Sequence, residues 1–444
     1  MRLRVKILSA TIAILALFLL PLSIQNFLFD RLDDSDLIFY PKKVDDSKNA
    51  YVALLPALEQ IREEEEKEKE LYGRSKLLRS ARRVTRHSMI DQLIERHKAL
   101  LAAFSEASKL DSFQVSPELD FYNLMASEYM DEIKFLCELE ILNIHKLLHE
   151  HKMEQASLEI LKLFKYGYFL RNSGNGLIFF KKGTQLKDRA LNFIKNWLAE
   201  SNFESAYYEK TLRFIEKYTD SNALINGLKV EYSLAAGTIR DLEARNFKGD
   251  KDYEKVFRRY GAHPRMAAYF YNENIALSRV AEYFRQEIKN LNKPYVSILH
   301  KDIYPCMGPF SRYLSLLRGD VIGKVLLQIE IPKLRYAVEE EFRLDAKYNL
   351  TRVLLALRAY YSDTNNLPDE LDELMPDYIE KIPKDPYSNK NLKYSRSRKM
   401  IYSVGGDMED DKGHLQKDWC MKLRFYREGI IDHKERVGFN PAQN

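Results

Sequence analysis

Cysteine is scarce in this chain: Cys137, Cys306 and Cys420 are the only three among 444 residues. Their wide separation excludes a disulfide framework and a CxxC metal or redox pair. Glycine and proline are also sparse, at 17 and 14 residues, well under the roughly 12 per cent they share in average usage. That shortage disfavours a turn-rich β architecture and points to helix. An excess of one charge is missing too, because 70 Lys and Arg against 65 Asp and Glu leave only +5. So small a remainder does not imply nucleic acid as a partner. What is present in quantity is core material: 45% hydrophobic and 12% aromatic residues, enough for two or three ordinary domains.

Catalytic signatures are equally thin. No G-x-S-x-G occurs, and no Cys and His form a recognisable nucleophile signature. Gly319, Gly323 and Lys324 resemble a phosphate loop only superficially, since the glycines are too close and Val325 stands where Ser or Thr would hold magnesium. His145 and His149 lie four apart on a predicted helix, followed by Glu150 and His151. The zinc-protease order needs Glu directly after the first His, and Lys146 is there instead. An enzymatic reading therefore requires a site in the helical body that only the fold assembles, with these three histidines as its candidates.

One long apolar run stands out. Arg2, Arg4 and Lys6 precede Ile7 to Ile24, mostly Leu, Ile and Phe, and Gln25 to Phe29 extends it. Residues 7–29 are long enough to cross a bilayer, and the summed preference of the apolar side chains favours insertion by a few kcal/mol. A cleaved secretory signal would end in small residues in an A-x-A-like arrangement, and Leu22 to Asn26 supply only Ser23. The segment reads as a retained single-pass anchor. Basic residues before the span, with Asp30, Asp33, Asp34 and Asp36 after it, orient the body away from the cytoplasm.

From about Asp45 to Gln328, apolar residues recur at helical spacing, predicting about eight helices. The charge run Glu63 to Glu70 carries i,i+4 pairs, Glu63 with Lys67 and Glu65 with Lys69, and reads as a solvated helix face. The basic stretch Arg79, Arg82, Arg83 and Arg86 reads the same way. Between Phe121 and Leu170 two stripes, Ile133 to Leu148 and Ala156 to Gly167, predict a pair of antiparallel helices, with the small Ala156 and Gly167 allowing close approach. Cys137 on the first stripe reads as a buried small hydrophobe. The texture is repeat-like, without a fixed period.

Near Pro332 the pattern changes. A proline suited to a helix's first turn opens about thirty residues with Leu350, Val353, Leu354, Leu357, Tyr360 and Tyr361 on one side. A short helix with Leu371 and Leu374 follows, then a turn at Lys384–Asn389, and strand-like pieces at 391–395, 399–404 and 421–426. Such a small antiparallel sheet needs a cover, and the long helix supplies it.

This ordered ending resembles the C-terminal domain of the type II secretion major pseudopilin: Ile382-Pro383-Lys384-Asp385-Pro386 matches its turn, and Ser403-Val404-Gly405-Gly406-Asp407 its strand end. The resemblance covers about 95 residues. It implies a calcium site in the acidic loop, with Asp407, Asp410 and Asp411 as ligands, although the loop is shorter here, with Met408 and Glu409 in place of a Gly-containing insertion. Oxygen donors from one short loop suit a hard cation. The chain lacks the Gly, Phe and Glu arrangement of a prepilin leader, having no glycine before Gly73, so processing and polymerisation as a pseudopilin are not expected. The overall layout is similar to that of bacterial membrane-anchored proteins of no assigned activity.

The expected fold is mainly α: a transmembrane segment at 1–30, a multi-helix body at 31–331, and a pseudopilin-like α+β domain at 332–444 with a short antiparallel sheet. The expected role is that of a non-catalytic interaction or scaffold protein, held by residues 7–29 in a bacterial inner membrane with its body on the periplasmic side and protein partners unspecified. The alternatives are a component of a type II secretion or pilus-like machine, and an enzyme with its site in the helical body.

Overall fold

The computed structural model describes residues 32–68, 87–115, 129–219, 222–244, 272–291, 293–295, 321–414 and 418–423. The 7–29 span, the basic stretch 79–86 and Cys306 lie outside them. Among the described residues no helix is long and apolar enough to cross a membrane.

The helices are α1 (Ala50–Glu68), α2 (His87–Arg96), α3 (Lys98–Ala107), α4 (Met130–His149), α5 (Met153–Arg171), α6 (Gly176–Glu200), α7 (Ser205–Lys217), α8 (Ala223–Ala244), α9 (Glu273–Leu291) and α10 (Val321–Thr364). Strands β1 (Lys393–Ser395), β2 (Met400–Ser403) and β3 (Trp419–Lys422) form an antiparallel sheet in the order β1-β2-β3. Tyr394 pairs with Ile401, and Ile401 with Met421. The mainly helical class and the small sheet match the sequence expectation, and the third strand begins two residues early.

The α4–α5 hairpin forms as its stripes require, with Ile133, Leu136, Cys137, Ile141 and Ile144 buried against Ile160 and Leu163. Burial pushes the Cys137 thiol up to about 12, which keeps it protonated. Gly167 serves a different neighbour from the one its stripe suggested. A Cβ on it would stand 2.9 Å from the Gly183 carbonyl oxygen and 2.8 Å from the Lys187 nitrogen, both on α6. Gly167 and Gly183 thus let the α5 and α6 backbones touch. Beside this crossing the Lys187 ammonium, itself buried, donates to the Tyr218 carbonyl at 3.0 Å and sits 4.8 Å from the Phe164 ring centroid.

Pro332 stands inside α10 rather than in its first turn, and its ring is exposed, so the line drawn between 331 and 332 falls within a continuous helix. The expected one-sided stripe is also corrected. Every residue from Val353 to Ala359 is buried, because α7 and α6 lie on one side of α10 and the sheet on another. A helix apolar all round is a buried helix. Arg358 donates to the Ser201 carbonyl and, at 3.1 Å, to the Tyr208 hydroxyl, while Thr351 Oγ1 points at the Met421 sulfur from 3.8 Å. The long helix, about 66 Å by its rise per residue, joins two core clusters. The first gathers α1, α3–α7, the C-terminal half of α10 and the sheet; the second gathers Leu37, Phe180, α8, α9 and residues 325–346 of α10.

A carboxylic acid is buried in the first cluster. Glu140 of α4 is 1% exposed and hydrogen-bonds to Glu159 of α5; burial, the shared proton and the Glu159 charge raise its pKa well above the ordinary value. Lys162 pairs with Glu159 and donates to Ser105 Oγ at 3.0 Å. Glu140 therefore folds protonated. Its contribution to stability is fully present below the ordinary glutamate range and is lost as pH rises above it, with a slope of at most about 1.4 kcal/mol per pH unit. Glu140→Gln should flatten that decline between pH 5 and 8 in urea unfolding; parallel curves for variant and wild type would show that Glu140 does not titrate between the states.

Candidate functional site

The residues that immediately follow the apolar run are built into the body. Ser35–Leu37 form a single 3-10 turn, and Leu37 is 1% exposed in the second core cluster. The acidic residues around it each find a partner on a distant helix. Tyr232 of α8 donates to Asp34 Oδ2 at 2.6 Å and Arg240 does so at 2.9 Å. Arg285 of α9 takes Asp36 in a fork, 2.5 Å to Oδ1 and 2.8 Å to Oδ2, and reaches the Asp33 carbonyl at 2.7 Å. The Arg285 hydrogen bonds hold the Asp36 carboxyl below the usual carboxylate range, and burial followed by the bond to Asp34 raises Tyr232 far out of its ordinary range.

This segment, a strap over residues 32–49, continues to α1. Phe39 lies against Gly174, Val44 N donates to Gln114 Oε1 at 3.0 Å, and Asn49 exchanges two hydrogen bonds with the Gln114 backbone at 2.8 and 2.9 Å. A half-open cleft of about 210 Å³ lies where this segment passes α5, lined by Phe39, Lys42, Gln114, Tyr168 and Asn172 among others. Sequence reading took the aspartates only as orienting charge. Their partners are some two hundred residues away, beyond the reach of any periodicity.

In the acidic loop, Asp407 and Asp410 are engaged by neighbouring groups of the ending. Asp407 Oδ1 accepts from Glu409 N at 3.1 Å. Asp410 Oδ1 accepts from Lys412 N at 3.0 Å and Tyr402 OH at 3.2 Å, and Lys393 Nζ stands 3.4 Å from Oδ2. Burial pushes the Asp410 carboxyl up, but the Lys412, Tyr402 and Lys393 hydrogen bonds outweigh it and hold it below the ordinary range. Asp411 lies next in the loop. Among the described residues no group of three or more His, Cys, Asp or Glu is gathered to hold a metal ion. A residue missed in the sequence is Asp418, 4% exposed. Its Oδ2 accepts from Gly413 N at 2.7 Å and His414 N at 3.3 Å, while its buried Oδ1 has no hydrogen-bond partner.

No known protein family, curated protein or solved structure matches the chain. The site's chemistry must be read from its own geometry. Asp385, 1% exposed, is the best-anchored carboxylate of the ending: it accepts from Tyr387 N at 3.0 Å, Ser403 Oγ at 2.9 Å, Val404 N at 3.0 Å and Ser388 Oγ at 3.2 Å. It fastens the Lys384–Asn389 turn to the end of β2. His145, His149 and His151 are all exposed. His145 lies edge-on to Phe193 at 4.9 Å, His151 Nδ1 is 3.9 Å from Glu200 Oε2, and the cleft beside the strap is not lined by any of the three. Gly323 and Lys324 stand inside α10, and Gly319 lies outside the described residues.

Proposed function

We propose that the chain is a single-pass, membrane-anchored protein with its body outside the cytoplasm, acting without catalysis as a scaffold that holds protein partners at a fixed place beside the bilayer. The docking of the strap, Leu37 in the core with Asp34 and Asp36 on Arg240 and Arg285, carries this reading. Only Asp30 and Arg31 separate Phe29 from Leu32, so at roughly 3.5 Å per residue the body lies within about 10 Å of the end of the apolar run. A flexible linker would let the body wander; a docked one fixes its place and raises the effective concentration of whatever it binds. Crosslinking with mass spectrometry on native membranes tests the role. The same proteins should be recovered repeatedly on the folded full-length bait, and a bait that enriches nothing over an unrelated anchored control contradicts it.

A second reading, a component of a type II secretion-like machine, draws support from Asp385 and Ser403, motif residues of the ending that bond to each other. It is an argument by analogy of fold. Calcium enters either reading only as a ligand of the acidic loop, in competition with Lys393 and Tyr402 for Asp410.

A further inference from the structure

We propose that Lys165 anchors a site for a small organic carboxylate, free or at the end of a peptide chain, entered through the cleft between the strap and α5. This goes beyond the scaffold reading and does not depend on it.

Four lysine and arginine side chains are buried among the described residues: Lys165, Arg171, Lys187 and Arg358. Three of them are satisfied within the fold. Arg171 donates to Thr184 and Glu341, Lys187 to the Tyr218 carbonyl, and Arg358 to the Ser201 carbonyl and the Tyr208 hydroxyl. Lys165, on α5, is different. Its side chain is 7% exposed, yet its carboxylate partner, Asp111 Oδ1, stands 3.8 Å away on a side chain that is itself 80% exposed. That distance is too long for a hydrogen bond. The other groups around the ammonium are rings, with the Tyr218 centroid at 4.9 Å and the Phe169 centroid at 5.2 Å. Ring faces attract a cation but do not replace the oxygen acceptors that its N–H groups lose on leaving water. A buried ammonium without an acceptor is costly to keep.

The cleft gives an acceptor a way in. Asp111 and Phe169, which flank the ammonium, also line the cleft, so Lys165 stands at the wall of a space of about 210 Å³. Phe39, Phe113 and Tyr168 supply more of that wall. The volume is below the roughly 300 to 1,000 Å³ of a drug-sized pocket, which sets the guest at about the size of one apolar amino acid. A single ammonium matches a single negative charge. A phosphate would bring more charge than one lysine answers, and among the described residues no arginine lines the cleft to share it. Net charge at the rim does not make the choice, since Lys42 and Lys43 of the strap are followed by Asp45 and Asp46, all exposed. The buried ammonium makes it. A bound carboxylate oxygen accepts from Lys165 in place of the long contact with Asp111, and the guest's apolar part lies on the rings.

The test is isothermal titration calorimetry of the full chain in detergent micelles, with 3-phenylpropionate, its uncharged amide, phenyl phosphate, and acetyl-Gly-Gly-Phe as acid and as amide. At least one acid should bind about tenfold or more tighter than its own amide, the worth of one hydrogen bond between charged groups. Lys165→Met, which keeps the stem and removes the buried charge, should abolish that preference. Asp111→Asn, a change at an exposed position, should strengthen acid binding several-fold by removing the competing carboxylate. Tighter binding of the free acid identifies a small-molecule guest and tighter binding of the peptide acid a chain terminus, and either supports the site. Equal binding of acids and amides overturns the proposal, as does the absence of binding by every probe. A preference that survives Lys165→Met or is lost in Asp111→Asn overturns it too, and so does phenyl phosphate binding more tightly than either acid. All of these outcomes leave the anchor and the scaffold role untouched.

Discussion

Gly183→Ala lowers the free energy of unfolding by about 3 kcal/mol, whereas Gly237→Ala raises it by up to about 1 kcal/mol. Both glycines are inside helices, where alanine is the better helix former, so propensity alone would make both changes stabilising. Space decides the sign. A Cβ on Gly183 would stand 2.5 Å from the Gly167 carbonyl oxygen and 2.7 Å from the Arg171 nitrogen, while one on Gly237 meets nothing within 4 Å. Backbone atoms in a packed crossing have no rotamer to escape into, and α5 and α6 must separate. That movement would disturb buried Lys187 and Arg171, whose Nη1 donates to Thr184 at 2.7 Å and whose Nη2 donates to Glu341 at 2.8 Å. Urea unfolding of the two variants beside wild type reads both signs in one experiment, and a stabilised Gly183→Ala would mean that the helices do not touch there.

Leu37→Asp should detach the strap while leaving the rest of the body folded. Truncating a fully buried leucine costs about 3 kcal/mol, and an unpaired carboxylate in its place costs more. The ion pairs on either side cannot compensate: Asp36 is 56% exposed in its pair with Arg285 and Arg240 is 47% exposed in its pair with Asp34, and pairs so open to water are worth little each. Hydrogen exchange should then show amides of residues 33–44 losing at least a hundredfold in protection, with α4, α5 and α6 unchanged. Equal protection in variant and wild type would show that the strap is held by something other than Leu37.

How much of this could be read from the residues depends on how local the cause is. The shortage of glycine and proline, and stripes such as Ile133 to Leu148, act within one helix, and those helices form. The three strands begin within about two residues of where they are expected, because each is bounded by its own turn chemistry. The α10 surface was misread because a one-sided stripe is a property of a helix with one neighbour, and Val353 to Ala359 have packing partners all round. Gly183 gave no signal without Gly167, since a close crossing is a property of two helices together. The strap was invisible for the same reason: Asp36 and Arg285 are 249 residues apart, and nothing in either neighbourhood names the other. Glu140 lies in an otherwise apolar stripe, where its charge could be recognised as anomalous only once Glu159 was placed opposite.

The proposed function rests on one premise, that the body is fixed beside a bilayer by the run at residues 7–29. Alkaline extraction of native membranes, followed through a reporter fused after Asn444, tests it most directly. The chain should stay in the membrane pellet with the reporter active on the extracytoplasmic side. Recovery of the native chain in the soluble fraction, or a reporter active only in the cytoplasm, would contradict it.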